Sequence, residues 1–79
     1  MKFTNYFTEI RKRKDRENIK LSWIERVISN PEVERIQKDG RIRRWSKISE
    51  AGNKYLRVVL LEDRETVHNA FFDRSFKEG

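Results

Sequence analysis

The sequence predicts an α+β fold in which two N-terminal helices pack on one face of a four-stranded antiparallel β-meander. Apolar residues recur at helical spacing before Pro31 and alternate with polar residues at strand spacing after it. The dipeptide Asp39-Gly40 is typical of a two-residue hairpin turn, because glycine tolerates positive φ. These observations favour helices first and a sheet second.

The chain has 79 residues, a length that suits one domain, residues 1–79. Within this domain we expect a helical part over residues 1–31 and an antiparallel sheet over residues 32–74. Residues 75–79 are predicted to form a frayed tail, because nothing in their pattern ties them to the sheet.

The first helix is predicted from four apolar residues whose spacing is that of one helix face: Phe3, Tyr6, Phe7 and Ile10. Alternation of Phe3, Asn5 and Phe7 would also suit a strand. Residues 11–16 follow, with five cations in six positions. Their arginines, Arg11 and Arg13 among them, are candidate phosphate contacts, and the alternative is a solvated helix end.

The second helix is predicted over residues 22–29 from an apolar stripe: Leu21, Ile24, Val27 and Ile28. Ser22 and Glu25 have the spacing of a capping box, in which each side chain bonds a free backbone amide of the first turn. Asn30-Pro31 is expected to end the helix, since proline disfavours helical geometry in the residue before it.

Four strands are predicted after Pro31, at residues 33–38, 41–48, 54–61 and 66–72. The third is expected to be central, because apolar side chains occupy both of its faces. Residues 49–53 and 62–65 have the composition of loops. One face of this sheet should pack on the helices and the other should stay open.

A two-residue turn at Asp63-Arg64 would set the register of the last two strands. Val59 would then face His68, Arg57 would face Ala70, and Tyr55 would face Phe72. The opposite face would pair Leu56 with Phe71 and Leu60 with Val67 as core, with Asn69 as a polar member.

Across the loop at 49–53, the matching register places Ile42 and Ile48 in the core, beside Arg44 and Ser46. The open side then gathers a patch of cations and rings: Arg43, Trp45, Lys47, Tyr55, Arg57 and His68. A single β-bulge would move Trp45 into the core and Arg44 out, so both placements of Trp45 stay open. Cations around an aromatic platform are typical of proteins that bind single-stranded RNA.

Composition excludes several kinds of site. With no Cys and one His, the chain predicts no disulfide and no zinc site, and we expect neither a metal nor a cofactor. Apolar runs are too short for a membrane span and the first residues do not suit a signal peptide, which favours a cytoplasmic location. The net charge of +6 suits an anionic partner, or serves solubility alone.

Residues 39–45, 55–60 and 67–74 carry a likeness to known proteins. They resemble a group of short bacterial proteins distantly related to the BrnT and RelE/ParE-type toxins, over roughly residues 17–74. The resemblance implies a RelE-like fold, action on RNA, and an acidic antitoxin-like partner. By position, Arg57 matches the central-strand arginine of that group and Arg74 the arginine near its closing strand. The closing strand itself departs from the serine-alanine-basic pattern of BrnT-like chains.

RNA cleavage without a metal requires a base, an acid and cations for the phosphate. His68 is the candidate base or acid, because it titrates near neutrality, and Arg57 and Arg74 complete the catalytic set. The candidate nucleic-acid contacts are Arg11, Arg13, Arg41, Arg43, Trp45, Lys47 and Tyr55. Two alternatives stay open: a nucleic-acid binder without chemistry, and a protein-interaction module whose partner extends an edge strand.

Overall fold

The computed structural model describes residues 1–77, which form a five-stranded mixed sheet with two α-helices. The elements are β1 (Lys2–Phe3), α1 (Asn5–Ile10), α2 (Leu21–Ser29), β2 (Val33–Ile36), β3 (Ile42–Ile48), a 3₁₀ turn (Ser49–Ala51), β4 (Lys54–Leu60) and β5 (Thr66–Phe72). The strand order across the sheet is β1-β5-β4-β3-β2. The α+β class is therefore confirmed.

The predicted four-stranded antiparallel sheet needs correction, because β1 adds a fifth strand. β1 pairs with β5 in parallel, with Lys2 opposite Thr66 and Phe3 opposite Val67. Phe3 thus lies in a strand rather than in the first helix, although its ring still contacts Phe7 edge-on at 5.3 Å. The other four strands pair with one another in antiparallel fashion and lie close to their predicted positions.

Both helices form where apolar residues recur, but the N-cap of α2 differs from the prediction. Thr4 caps α1, its hydroxyl oxygen accepting a hydrogen bond from the amide of Phe7 at 3.1 Å. The predicted capping box at Ser22 is wrong. α2 begins one residue earlier than predicted, at Leu21, with Lys20 as N-cap and no side-chain capping bond. α2 ends at Ser29, with Asn30 as C-cap ahead of the proline, as predicted.

The core lies between the helices and one face of the sheet. Its buried residues are Phe7, Ile10, Ile19, Trp23, Ile24, Val27, Ile42, Ile48, Leu56, Val58, Leu60, Val67 and Ala70. Arg44 and Ser46 share this side, as predicted, because hydrogen bonds satisfy them. Arg44 donates to the Ile28 carbonyl at 2.7 Å, and the Ser46 hydroxyl donates to the Asn30 carbonyl at 3.1 Å.

The turn between β2 and β3 has three residues rather than the predicted two. The Gln37 amide donates to the Arg41 carbonyl at 2.8 Å and closes the loop over residues 38–40. Gly40 sits at φ +90°, a conformation that only glycine adopts without strain. The register of β3 on β4 is the predicted one, with Trp45 opposite Arg57 and Ile42 opposite Leu60.

A β-bulge between β4 and β5 changes the predicted register. Leu60 faces Val67 as expected, but Val59 faces Asn69, so His68 is the extra residue. Every later pair moves by one position: Arg57 faces Phe71 instead of Ala70, and Leu56 faces Phe72 instead of Phe71. The bulge brings Ala70 into the core and turns Asn69 away from it. It thereby removes the polar core position that the straight register required.

Candidate nucleic-acid interface

The sheet face opposite the helices, called here the open face, carries cations and rings from four strands. Its central residues are Arg35, Arg43, Trp45, Lys47, Tyr55, Arg57 and Phe71. They share this face because each stands opposite another member in the strand register, and directly paired residues project to the same side. The predicted grouping of Arg43, Trp45 and Arg57 is therefore present.

A row of alternating cations and rings crosses the open face. Arg57 stands opposite both Trp45 and Phe71, and its guanidinium carbon lies 5.4 Å from the first ring centroid and 5.2 Å from the second. Arg35 continues the row beyond Trp45 at 5.7 Å, and Arg16 extends it beyond Phe71 at 5.3 Å. The row is called the cation–ring ladder below, and each contact stabilises its cation modestly.

Arg43 and Arg57 place like charges on adjacent strands at the centre of the open face. Their buried Nε atoms have no hydrogen-bond partner among the described residues. Burial, and then the charge of Arg43, lower the pKa of Arg57, and Asp73 offsets this only in part. Cations held together without full compensation are typical of a site that binds an anion.

Asp73 is the carboxylate that pairs with Arg57. It accepts hydrogen bonds from the Trp45 indole Nε1 at 3.1 Å and from Arg57 Nη1 at 3.5 Å. An open cavity of about 370 Å³ adjoins it, lined by Arg35, Arg43, Arg57, Lys77 and other residues of this region. Among residues 1–77, one carboxylate and four cations line this cavity, which gives their part of it a positive charge.

Trp45, whose placement the sequence left open between an exposed platform and the core, lies on the open face but is buried there. Only 3% of its surface is exposed, because the ring of Phe76 stacks on it with centroids 4.8 Å apart and planes at 19°. Phe76 also contacts Tyr55 at 4.9 Å. Residues 75–77, predicted to fray, thus lie against the sheet, whereas residues 78 and 79 of the predicted tail are outside the described residues.

His68 lies at a different place, where β5 meets β1 and α1. Its Nδ1 is 3.2 Å from the hydroxyl oxygen of Thr4, and its ring stacks on Tyr6 at 4.9 Å. Burial, and then the charge of Arg41, lower the pKa of His68 and favour the neutral imidazole. The contacts of His68 are thus with residues of the N-terminal part, whereas Arg57 contacts Asp73 on the open face.

The other predicted contacts spread over several surfaces. Lys47 covers the ring of Tyr55 at 5.5 Å at one end of the open face, and Arg41 pairs with Asp39 at the other. Arg74 is exposed beside a second cavity of about 410 Å³, which Arg16 and Lys54 also line. On the helical side, Arg11 covers Phe3 at 5.1 Å and Arg13 is exposed beyond α1.

Five residues of the interface were not among the sequence-based candidates: Arg16, Arg35, Phe71, Asp73 and Phe76. Arg35 was not accessible to sequence reasoning, because the predicted two-residue turn places it opposite Arg44 on the core side, whereas the observed three-residue turn places it opposite Arg43. Nor was Phe76, since nothing in its local pattern indicates a long-range contact with Trp45.

Groups of three or more His, Cys, Asp or Glu able to hold a metal ion are absent from residues 1–77. The helices of this part of the chain are too short and too polar to cross a membrane. Comparisons with protein-family models, with curated proteins and with solved structures found no match.

Proposed function

We propose that this protein binds single-stranded RNA through the open face, with backbone phosphates held by Arg43 and Arg57. The observation that carries the proposal is the arginine pair itself, whose buried Nε atoms lack partners in the described chain and whose charges are offset by one carboxylate. A phosphate would supply the missing negative charge, and arginine binds phosphate in a bidentate way.

A single strand fits this surface better than a duplex. The open face offers rings and guanidinium planes on a sheet, which unstacked bases can contact and paired bases cannot. Four cations line the central part: Arg35, Arg43, Lys47 and Arg57. If each neutralises one phosphate, a plot of log affinity against log salt has a slope of about −3.

The toxin-type role that the resemblance implies is proposed as the cellular setting of this binding, with an acidic protein partner that covers the same cations. Cleavage is not part of the proposal. Acid–base catalysis requires a titrating group within hydrogen-bond reach of the phosphate. His68 instead contacts Thr4 and Tyr6, at the β1 end of β5.

The test is fluorescence anisotropy with a labelled uridine-rich RNA oligomer, titrated at several salt concentrations. Arg43→Gln and Arg57→Gln should each weaken binding about tenfold and make the salt slope shallower by about 0.7, because one phosphate contact is lost. Arg26→Gln is the matched control: it removes the same charge from α2, where Arg26 pairs with Glu50. The RNA affinity and the salt slope of Arg26→Gln should stay close to those of the wild type.

Equal losses in all three variants would mean that net charge alone attracts RNA and would refute an open-face site. Binding that ignores salt would refute the phosphate contacts. Induction of the wild-type chain should slow bacterial growth, and Arg57→Gln should relieve the effect. If growth is unaffected while RNA binding is intact, the toxin-type setting is refuted and the proposed RNA binding stands.

A further inference from the structure

Segment 73–77 makes the contacts on the open face that a nucleotide would make. The carboxylate of Asp73 lies 3.5 Å from Arg57, as a phosphate oxygen would, and the ring of Phe76 stacks on Trp45 at 4.8 Å, as a base would. A near-parallel ring at 19° is the geometry of base–aromatic stacking. Acid and ring are three residues apart in one short segment.

We propose that Trp45 is a nucleobase-binding site and that segment 73–77 is its built-in competitor, which must leave before a base can stack. This inference rests on the proposed RNA binding and adds to it the base site and its control. Trp45 is 3% exposed with the segment in place, so a base has no access to the ring until Phe76 moves.

The contacts that hold the segment suit a reversible competitor. Phe76 is half-buried, and Ser75 and Lys77 beside it are exposed. The aromatic contacts of Phe76 are with Trp45 and Tyr55, both on the open face rather than in the main core. Its release therefore leaves the packing between helices and sheet intact.

The contacts of segment 73–77 also determine which class of ligand can displace it. A ligand must replace two contacts at once, the carboxylate on Arg57 and the ring on Trp45, to compensate for displacing the segment. A polyanion without bases, such as inorganic polyphosphate, replaces the first contact alone. We expect RNA to change the environment of Trp45, and polyphosphate to bind the arginines with little effect on that ring.

The experiment isolates Trp45 by its fluorescence in a Trp23→Phe background, since these are the two tryptophans of the chain. Phe76→Ala should expose Trp45 to acrylamide, raising quenching at least twofold, and should tighten RNA binding at least fivefold because the competitor is gone. Phe76→Tyr keeps a stacking ring and is the matched control. It should resemble the parent chain in both measurements.

When the parent chain binds the RNA oligomer, the fluorescence of Trp45 should change. Saturating polyphosphate should change this fluorescence by less than a fifth as much. If the parent binds RNA but Phe76→Ala has unchanged or weaker affinity, the competitor is refuted and the proposed function stands. If neither chain binds RNA, both proposals fail. A folded Phe76→Ala chain whose Trp45 stays shielded would also refute the competitor, since another group would then cover the ring.

Discussion

Asp73 holds segment 73–77 on the open face through its hydrogen bonds with Trp45 and Arg57. Burial raises the pKa of this carboxyl, but hydrogen bonds from Trp45 and Ser75, and the charge of Arg57, outweigh burial and hold the pKa below its ordinary value. Its side chain is 8% exposed and that of Arg57 18%, so the pair is screened from solvent. Loss of one partner would leave the other charge buried without compensation.

Asp73→Asn should lower the free energy of unfolding by about 1–3 kcal/mol at pH 7, because it removes the charge that faces Arg57 and weakens the acceptor of Trp45. The folded-state pKa lies below the unfolded one, about 3.9. The carboxylate therefore contributes stability above that pH, and the contribution is lost as pH falls through the folded-state pKa. Urea unfolding of both chains at pH 7 and in acid measures it.

The difference between wild type and Asp73→Asn should shrink toward acid pH. Glu9→Gln is the matched acid-to-amide control, since the Glu9 side chain is 73% exposed. It should leave stability almost unchanged at both pH values. A constant difference between wild type and Asp73→Asn at all pH values would mean that side-chain shape, rather than charge, accounts for the loss.

At the scale of elements, the hairpin of β3 and β4 was predictable and the hairpin of β4 and β5 was not. Without a bulge, placing Ile42 and Ile48 on the same face as Leu56 and Leu60 gives the observed register, in which Trp45 faces Arg57. The bulge at His68 has no local signal of its own. The polar residue that the straight register placed in the core, Asn69, was its indirect sign.

β1 was unpredictable for a different reason. It has two residues, and its partner β5 lies at the other end of the sequence, so local periodicity carries no information about the pairing. The same limit applies to the candidate site. Register gave Arg43, Trp45 and Arg57, which neighbouring strands bring together, whereas the burial of Trp45 depends on a contact with Phe76 outside any strand.

Two turns contain a glycine in the left-handed conformation, and the two glycines have different surroundings. Alanine substitutions at these positions can therefore be compared directly. Gly40 and Gly52 have φ of +90° and +74°. A Cβ on Gly40 would lie 2.2 Å from the Glu62 carboxylate, whereas a Cβ on Gly52 meets nothing within 4 Å. Alanine at either position carries the left-handed penalty of about 1–2 kcal/mol. Alanine at Gly40 should cost slightly more, because the exposed side chain of Glu62 must also rotate away.

Thermal unfolding of both alanine variants, with and without Glu62→Ala, separates the two terms. Gly40→Ala should be the more destabilised of the two in the parent chain. In the Glu62→Ala background the two losses should become similar, since only backbone strain is left. A Gly40→Ala loss that Glu62→Ala does not reduce would show that the hairpin geometry itself, rather than the contact, is responsible.

At the scale of the whole molecule, charge is distributed unevenly. The chain carries a net charge of +6. The ion pairs Arg26–Glu50 and Arg44–Glu34 lie on or near the helical side and are directly hydrogen-bonded. At the centre of the open face, the described ion pair is the longer one between Arg57 and Asp73. Repulsion on this face opposes folding, and an anionic ligand that relieves it stabilises the folded chain.

Arg43→Gln should therefore raise the free energy of unfolding by about 0.5–1 kcal/mol at low salt, while it weakens RNA binding. The gain should shrink as salt screens the repulsion. Urea unfolding at two potassium chloride concentrations measures both effects. Arg26→Gln should show the opposite sign, a small loss, because it breaks the pair with Glu50. If Arg43→Gln instead destabilises the chain at both concentrations, Arg43 stabilises the sheet. Its position would then have a structural explanation, rather than that of a binding site retained at a cost in stability.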